Sequence, residues 1–376
     1  MPRTYSPSLS VGPSAYVYAC TRLQIRKSAC FRLPDYNRML HMDIYEFVRF
    51  LGEGRYKADI AETPSSMSPD DRLESALNLN LARTFRDVID LTSGDLRHLT
   101  LHYLKKYDIV NVMMILRGKA QGMDPARIEQ ILIPAGEMTE RYLDSLAVLS
   151  TPDEIVSALK GWDLYPLLDR LYDPERKKGM FAHMENELYK RFYSELLDVA
   201  SSGYPGGDIL KKYVRLEIDI LNIRNLFRIH SCEEECDILS YIIPGGTTPA
   251  EKLRILSFTE DREHFEMIFG SMGVFHLIHE ALRESFPGNV MTREDALDFI
   301  WNRWEHHQVQ VPAVALSLTR SRLKRIDGLS RRHPFSVLPI LTYLERTQAE
   351  IANLRAIGRG KKLALAPERI AKYLIV

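Results

Sequence analysis

The sequence predicts an all-α protein, and three observations carry that expectation. Windows of alternating apolar and polar residues are few, apolar residues recur at i, i+3 and i+4 along the chain, and one ten-residue pattern returns three times. The 376 residues are 45% hydrophobic, which fits globular units with real cores and excludes global disorder. The 50 Lys and Arg balance the 50 Asp and Glu, so no long-range field draws in nucleic acid and any basic recognition site has to be local.

In chain order, residues 1–14 read as an N-terminal extension. The apolar run Tyr16 to Cys20 is too brief for the ~7–15 residue core of a signal peptide. Ile109 to Leu116, the longest apolar stretch, is interrupted by Asn111 and falls far short of the roughly 20 residues of a membrane span. The expectation is a chain with no span of its own, kept inside the cell. Cys20, Cys30, Cys232 and Cys236 form no disulfide framework, and the segment Cys232 to Cys236, with three Glu inside it, reads as a solvated acidic turn.

Met180, Met184, Leu188, Phe192 and Leu196 place one apolar residue every four positions, the core-facing stripe of a helix. Val337, Leu341, Leu344, Ile351 and Leu354 predict a comparable long helix near the C-terminus. Breaks are expected where Gly, Pro and Ser cluster: Gly118 to Pro125, Gly203 to Gly207, Pro244 to Pro249 and Gly328 to Pro334.

The repeated pattern is acid, Ile, x, Asn, aliphatic, x, x, aliphatic, x, Arg. It occupies 108–117, 219–228 and 350–359 without a gap. Its neighbourhood repeats too: Pro125 and Arg127-Ile128 follow Arg117 at the offsets at which Pro367 and Arg369-Ile370 follow Arg359. Ile133-Pro134-Ala135-Gly136 likewise matches Ile243-Pro244-Gly245-Gly246. The chain therefore divides into three related helical lobes, 15–124, 125–236 and 237–376.

If each copy is one helix, Asp108 and Asn111 share a face while Arg117 lies about 180° around. Acid and Arg are then placed to tie the helix to different neighbours, with Asn meeting exposed backbone where helices join. The residues in question are Asp108, Asn111, Arg117, Asp219, Asn222, Arg228, Glu350, Asn353 and Arg359. The other reading makes the three Asn and Arg pairs ligand sites around a pseudo-threefold axis.

Enzymatic readings find little support. Gly358-Arg359-Gly360-Lys361-Lys362 lacks the spacing and the hydroxyl of a phosphate loop. His98 and His102 stand at i, i+4, yet Leu99 occupies the place of the catalytic Glu in H-E-x-x-H. Neither a cofactor nor a metal is expected. One local excess stands out: Arg320, Arg322, Lys324, Arg325, Arg331 and Arg332 fall in thirteen residues with a single acid, Asp327. This basic stretch, 320–334, is expected to be an insertion in the third lobe, a loop for an acidic protein partner or lipid head groups. It has no interleaved aromatics to stack bases.

The three copies of acid-Ile-x-Asn ending in Arg, the two Ile-Pro turns, and Tyr16-Val17-Tyr18-Ala19 with Arg22 and Arg26 together resemble a known family. It is the central-stalk component of rotary V-type and A-type ATPases, called C in prokaryotic and d in eukaryotic complexes, and the resemblance covers about residues 15 to 376. It implies a funnel of three lobes around a pseudo-threefold axis, peripheral on the inner face of the membrane. Its implied partners are the proteolipid rotor ring and the central-shaft subunits. Such a protein is not a catalyst; it passes torque between the ATP-hydrolysing or ATP-synthesising head and a ring carrying protons or sodium ions. A metal-dependent hydrolase using the histidines and a free-standing helical adaptor are the alternatives.

Overall fold

The computed structural model describes residues 13–175, 179–231, 238–285, 291–308 and 312–375. Among these residues the ordered elements are helices, with no strand. After α1 (Pro13–Ser28), the short helices α2 (Leu33–Leu40), α3 (Ile44–Glu53) and α4 (Lys57–Glu62) lead into a long pair. That pair is α5 (Pro69–Leu91) and the nearly continuous α6 (Gly94–Leu104) and α7 (Lys106–Ala120), with only Lys105 between them.

The same order returns twice. Short helices α8 (Pro125–Glu129), α9 (Glu140–Val148), α10 (Pro152–Ala158) and α11 (Tyr165–Leu171) precede the long pair α12 (Met180–Ser201) and α13 (Gly207–His230). Then α14 (Ala250–Ser257), α15 (Arg262–Gly270), α16 (Gly273–Ser285) and α17 (Arg293–Trp304) precede α18 (Pro312–Arg332) and α19 (Leu338–Lys362). A last short helix, α20 (Pro367–Ala371), stands to α19 as α8 stands to α7; both open on the prolines whose offsets match in the sequence.

Local chemistry starts these helices where they start. Ser68 caps α5, accepting from the Asp71 amide at 3.3 Å, with Pro69 at the first position and Asp70 and Asp71 in the first turn. Corresponding short helices open on side-chain caps as well: Asp43 for α3, Thr151 for α10 and Asp261 for α15. The stripe Met180, Met184, Leu188, Phe192 and Leu196 is buried, as are Val337, Leu341, Leu344, Ile351 and Leu354. Each such side chain contributes ~1.5–3 kcal/mol by leaving water. The larger core runs from Tyr16 to Leu374 through the long helices. A second core, centred on Phe265, Phe269 and Trp304, joins α14–α17 to the C-terminal half of α13.

Two expectations need correction, the loop at the basic stretch and the break at Gly328. Helix α18 runs through Gly328 to Arg332, and the break comes only after it. Helix α18 stands directly before the third motif helix, as α5 and α12 stand before the first and second. Gly328 sits in a helix whose neighbours Ile326, Asp327 and Ser330 are buried, so packing overrides a weak breaker. Cys232, Cys236 and residues 1–12 of the expected extension lie outside the described residues.

Candidate functional site

The three motif asparagines do one job three times. Asn111 donates to the Ile133 carbonyl at 2.7 Å and accepts from the Ile133 amide at 2.8 Å. Asn222 does the same to Ile243 at 2.9 and 2.8 Å, and Asn353 to Ile375 at 3.0 and 2.6 Å. Each carboxamide thus pairs with both the amide and the carbonyl of an isoleucine in the segment that follows its own helix, buried at Ile243 and half-buried at Ile133 and Ile375.

The motif acids hold the next step of the same turns. Asp108 accepts from the amides of Glu137 at 2.8 Å and Met138 at 3.1 Å. Asp219 accepts from Thr247 at 2.9 Å and Thr248 at 3.0 Å. Gly136 and Gly246 explain themselves here, because a Cβ on either would collide with the Asp108 or Asp219 carboxylate. The third acid turns elsewhere. Glu350 accepts from the Phe31 amide at 2.7 Å, from Tyr56 Oη at 2.7 Å and from Arg55 at 3.0 Å, so the N-terminal segment supplies its cap. Burial pushes the Asp108 carboxyl up to about 6 and raises that of Glu350 as well, against these donors.

The motif arginines reach across to other helices. Arg117 on α7 pairs with Glu185 of α12 at 2.5 Å, and Arg359 on α19 pairs with Glu74 of α5 at 3.2 Å. Arg228 instead lies over the Tyr241 ring at 5.9 Å. Helix α7 packs on α12, α13 on α18 and α19 on α5, so each motif helix meets the long helix of the next unit, and the third meets the first.

Where the three motif helices converge, they bury a charged cluster that reading the sequence missed. Lys106 of α7 contacts Glu217 of α13 at 3.2 Å and Glu345 of α19 at 3.0 Å. Arg322 of α18 contacts the same two carboxylates at 3.0 and 2.6 Å. Tyr103 Oη donates to Glu345 at 2.8 Å, and Lys106 Nζ sits 3.9 Å from the Tyr103 ring centroid. Two cations balance two anions. Burial alone would raise the Glu345 carboxyl, but Arg322 and Lys106 outweigh it and hold it well below the carboxylate range. The available signal was Glu345 itself, a carboxylate on the face of Leu338 and Leu341.

The cluster floors an open cleft of about 190 Å³ walled by Tyr189, Tyr193, Leu221, Arg224 and Gln348. Of the basic stretch, then, Arg322 points inward and Arg320 binds the Leu374 carbonyl at 3.0 Å. Lys324, Arg325, Arg331 and Arg332 lie along the rest of α18.

His98 and His102 have ring centroids 4.1 Å apart, and the His98 ring also lies 4.8 Å from that of Tyr204, tilted by 39°. Among the described residues no group of three His, Cys, Asp or Glu could hold a metal ion. Burial lowers the His98 pKa, which fits a packed neutral ring.

Compared with known proteins, residues 19–373 match the family model described as ATP synthase (C/AC39) subunit. The C subunit of the A-type ATP synthase of Methanosarcina mazei is 33% identical, over 100% of this chain and 97% of its own length. The counterpart from Haloferax volcanii is 30% identical over 98% and 99%, and that from Archaeoglobus fulgidus 29% identical over 96% and 97%. With the family model spanning nearly all of it and a relative at this identity aligned end to end, the chain belongs to the ATP synthase (C/AC39) subunit family.

Proposed function

We propose that the chain is a non-catalytic central-stalk component of a rotary V-type or A-type ATPase. In this reading its three lobes surround a pseudo-threefold axis, one end rests on the membrane proteolipid ring, and the other receives the foot of the shaft. It sits as a peripheral protein on the cytoplasmic face and passes torque that is used for, or derived from, proton or sodium movement. Among the described residues no helix is long and apolar enough to cross a membrane, in keeping with a peripheral seat.

One observation carries the reading: α7, α13 and α19, each clamped by its own motif Asn, converge on one open, charged cleft. A part that transmits torque must not shear between its own lobes. Directional bonds do this better than apolar contact alone, because a buried ion pair loses most of its energy when its geometry slips. The Arg117–Glu185 and Arg359–Glu74 pairs add ties from one unit to the next.

The test is purification of the native complex through a tag on this chain. The shaft subunits, the proteolipid and the ATP-hydrolysing head are expected together. Recovery of the chain alone, from cells whose ATPase is intact and gently solubilised, contradicts the reading.

A further inference from the structure

Of the basic residues gathered in α18, Arg320 and Arg322 are used inside the chain, and the rest share one outward face. Lys324, Arg325, Arg331 and Arg332 are the i−4, i−3, i+3 and i+4 neighbours of Gly328, so at about 100° per residue they all fall within about 60° of it. All four are exposed, and Arg325, Arg331 and Arg332 make no ion pair among the described residues. The acid in the same stretch, Asp327, is buried instead, held by Lys27 at 3.1 Å and by Arg346. A Cβ on Gly328 would meet nothing within 4 Å, so packing does not call for a glycine, and the centre of the face carries neither bulk nor charge. Phe335, 55% exposed in the turn that follows, gives the face an apolar edge.

Four like charges on one face repel across it and gain nothing from the core. The helix macrodipole favours Arg331 and Arg332 in the last turn but does not reach Lys324 and Arg325, two turns earlier. We propose that this face of α18 binds the surface of a membrane containing anionic phospholipid, with head-group phosphates among the four cations and Phe335 at the boundary of the acyl chains. Charge complementarity selects the occupant. The face offers several equivalent cations, no acid to orient a partner's cation, and one apolar side chain at its edge, which matches a laterally uniform anionic surface. A protein partner is held by buried apolar or aromatic anchors at the centre of the contact, and here the centre is a glycine. The inference goes beyond the stalk reading and does not depend on it, because lipid vesicles contain no other subunit.

The test sediments the full chain with phosphatidylcholine vesicles, with and without phosphatidylglycerol, at low ionic strength, with melting temperatures as a folding check. Binding is expected only where phosphatidylglycerol is present, and it should fall as salt is added. At about fivefold in affinity per charge, Arg325→Gln combined with Arg332→Gln should bind about 25-fold more weakly than the parent. Gly328 supplies a matched pair that keeps every cation: Gly328→Gln and Gly328→Glu put side chains of one size into open space, and both residues favour a helix more than glycine does. Gly328→Gln should bind like the parent and Gly328→Glu about fivefold more weakly, with neither melting below the parent. Equal binding by Gly328→Glu and Gly328→Gln overturns the proposal, as does equal binding to vesicles lacking phosphatidylglycerol. Absence of parental binding to both vesicles overturns it too and turns the search to an acidic protein partner. Should the double Arg variant fail to fold, the Gly328 pair decides alone. None of these outcomes touches the stalk reading, which purification of the native complex decides.

Discussion

At the residue scale, the three asparagines make equal bonds in unequal surroundings, and their substitution should separate them. Asn222→Leu strands both the amide and the carbonyl of Ile243, which is 2% exposed. At ~1–3 kcal/mol for each stranded group, a loss of roughly 2–6 kcal/mol is expected in denaturant unfolding. Asn353→Leu should cost less, because Ile375 is only half-buried and water can replace the lost partner. Equal costs would show that the carboxamides matter through shape and not through the groups they satisfy.

Asp108 adds a pH signature. Burial raises its carboxyl from 3.8 to about 6, so the folded chain binds this proton more tightly than the unfolded chain does. The stability it contributes is therefore complete below about pH 4 and is lost as pH rises through about 6. Stability of the parent relative to Asp108→Asn should fall between those values and level off above them. A difference that grows with pH would mean that the Glu137 and Met138 amides, not burial, dominate the site.

These residues also show what a sequence discloses. Asn111, Asn222 and Asn353 are legible because one residue type recurs in one register along the chain. The buried cluster is not legible by that route. Lys106 and Glu217 stand two residues before their motif acids, where the third copy has Gln348; Glu345 stands five before, where the others have Tyr103 and Val214. Its complementarity runs between repeats, across the place where helices meet, and no single repeat displays it. Arg322 misleads for the same reason: among five other basic residues it reads as solvated, and only the two carboxylates opposite turn it inward.

At the element scale, the third repeat differs from the others in how its acid is capped. Turns downstream serve Asp108 and Asp219, whereas α19 depends on Phe31, Arg55 and Tyr56, from the segment that carries α2–α4. Lys361 adds a bond to the Leu40 carbonyl at 3.0 Å. Arg55→Met should therefore leave Glu350 buried beside fewer donors and loosen α2–α4 from α19. Amide hydrogen exchange should quicken in residues 33–62 while α12 and α13 stay protected. Uniform quickening across the chain would show that this seam is not a separate unit of opening.

The helices themselves are the easier part to foresee. Four-residue apolar spacing and caps such as Ser68 with Pro69 act locally, so α5, α12 and α19 can be read from their own residues. Helix α18 is obscured because Gly328 and the run of Arg and Lys look like a break, while its buried residues Leu318, Leu323 and Ile326 are an apolar minority whose burial comes from packing on other helices, α16 and α19 above all.

At the scale of the whole molecule, the charged cluster joins four of the long helices, and its parts should prove interdependent. Arg322→Met leaves Glu217 and Glu345 with Lys106 alone, a loss expected near the lower end of ~3–5 kcal/mol because the Arg322 side chain is 20% exposed. Adding Glu345→Met should recover part of that loss, since the second change removes the unpaired charge. A double-mutant cycle with no coupling would contradict a shared network.

The central claim is that this molecule joins a rotary motor's shaft to its membrane ring, and membrane vesicles containing the reconstituted complex test it most directly. Complex assembled without this chain should still hydrolyse ATP in its soluble head but fail to build an ion gradient, and adding the purified chain should restore the gradient. ATP-driven ion uptake at the parental rate in its absence would contradict the account.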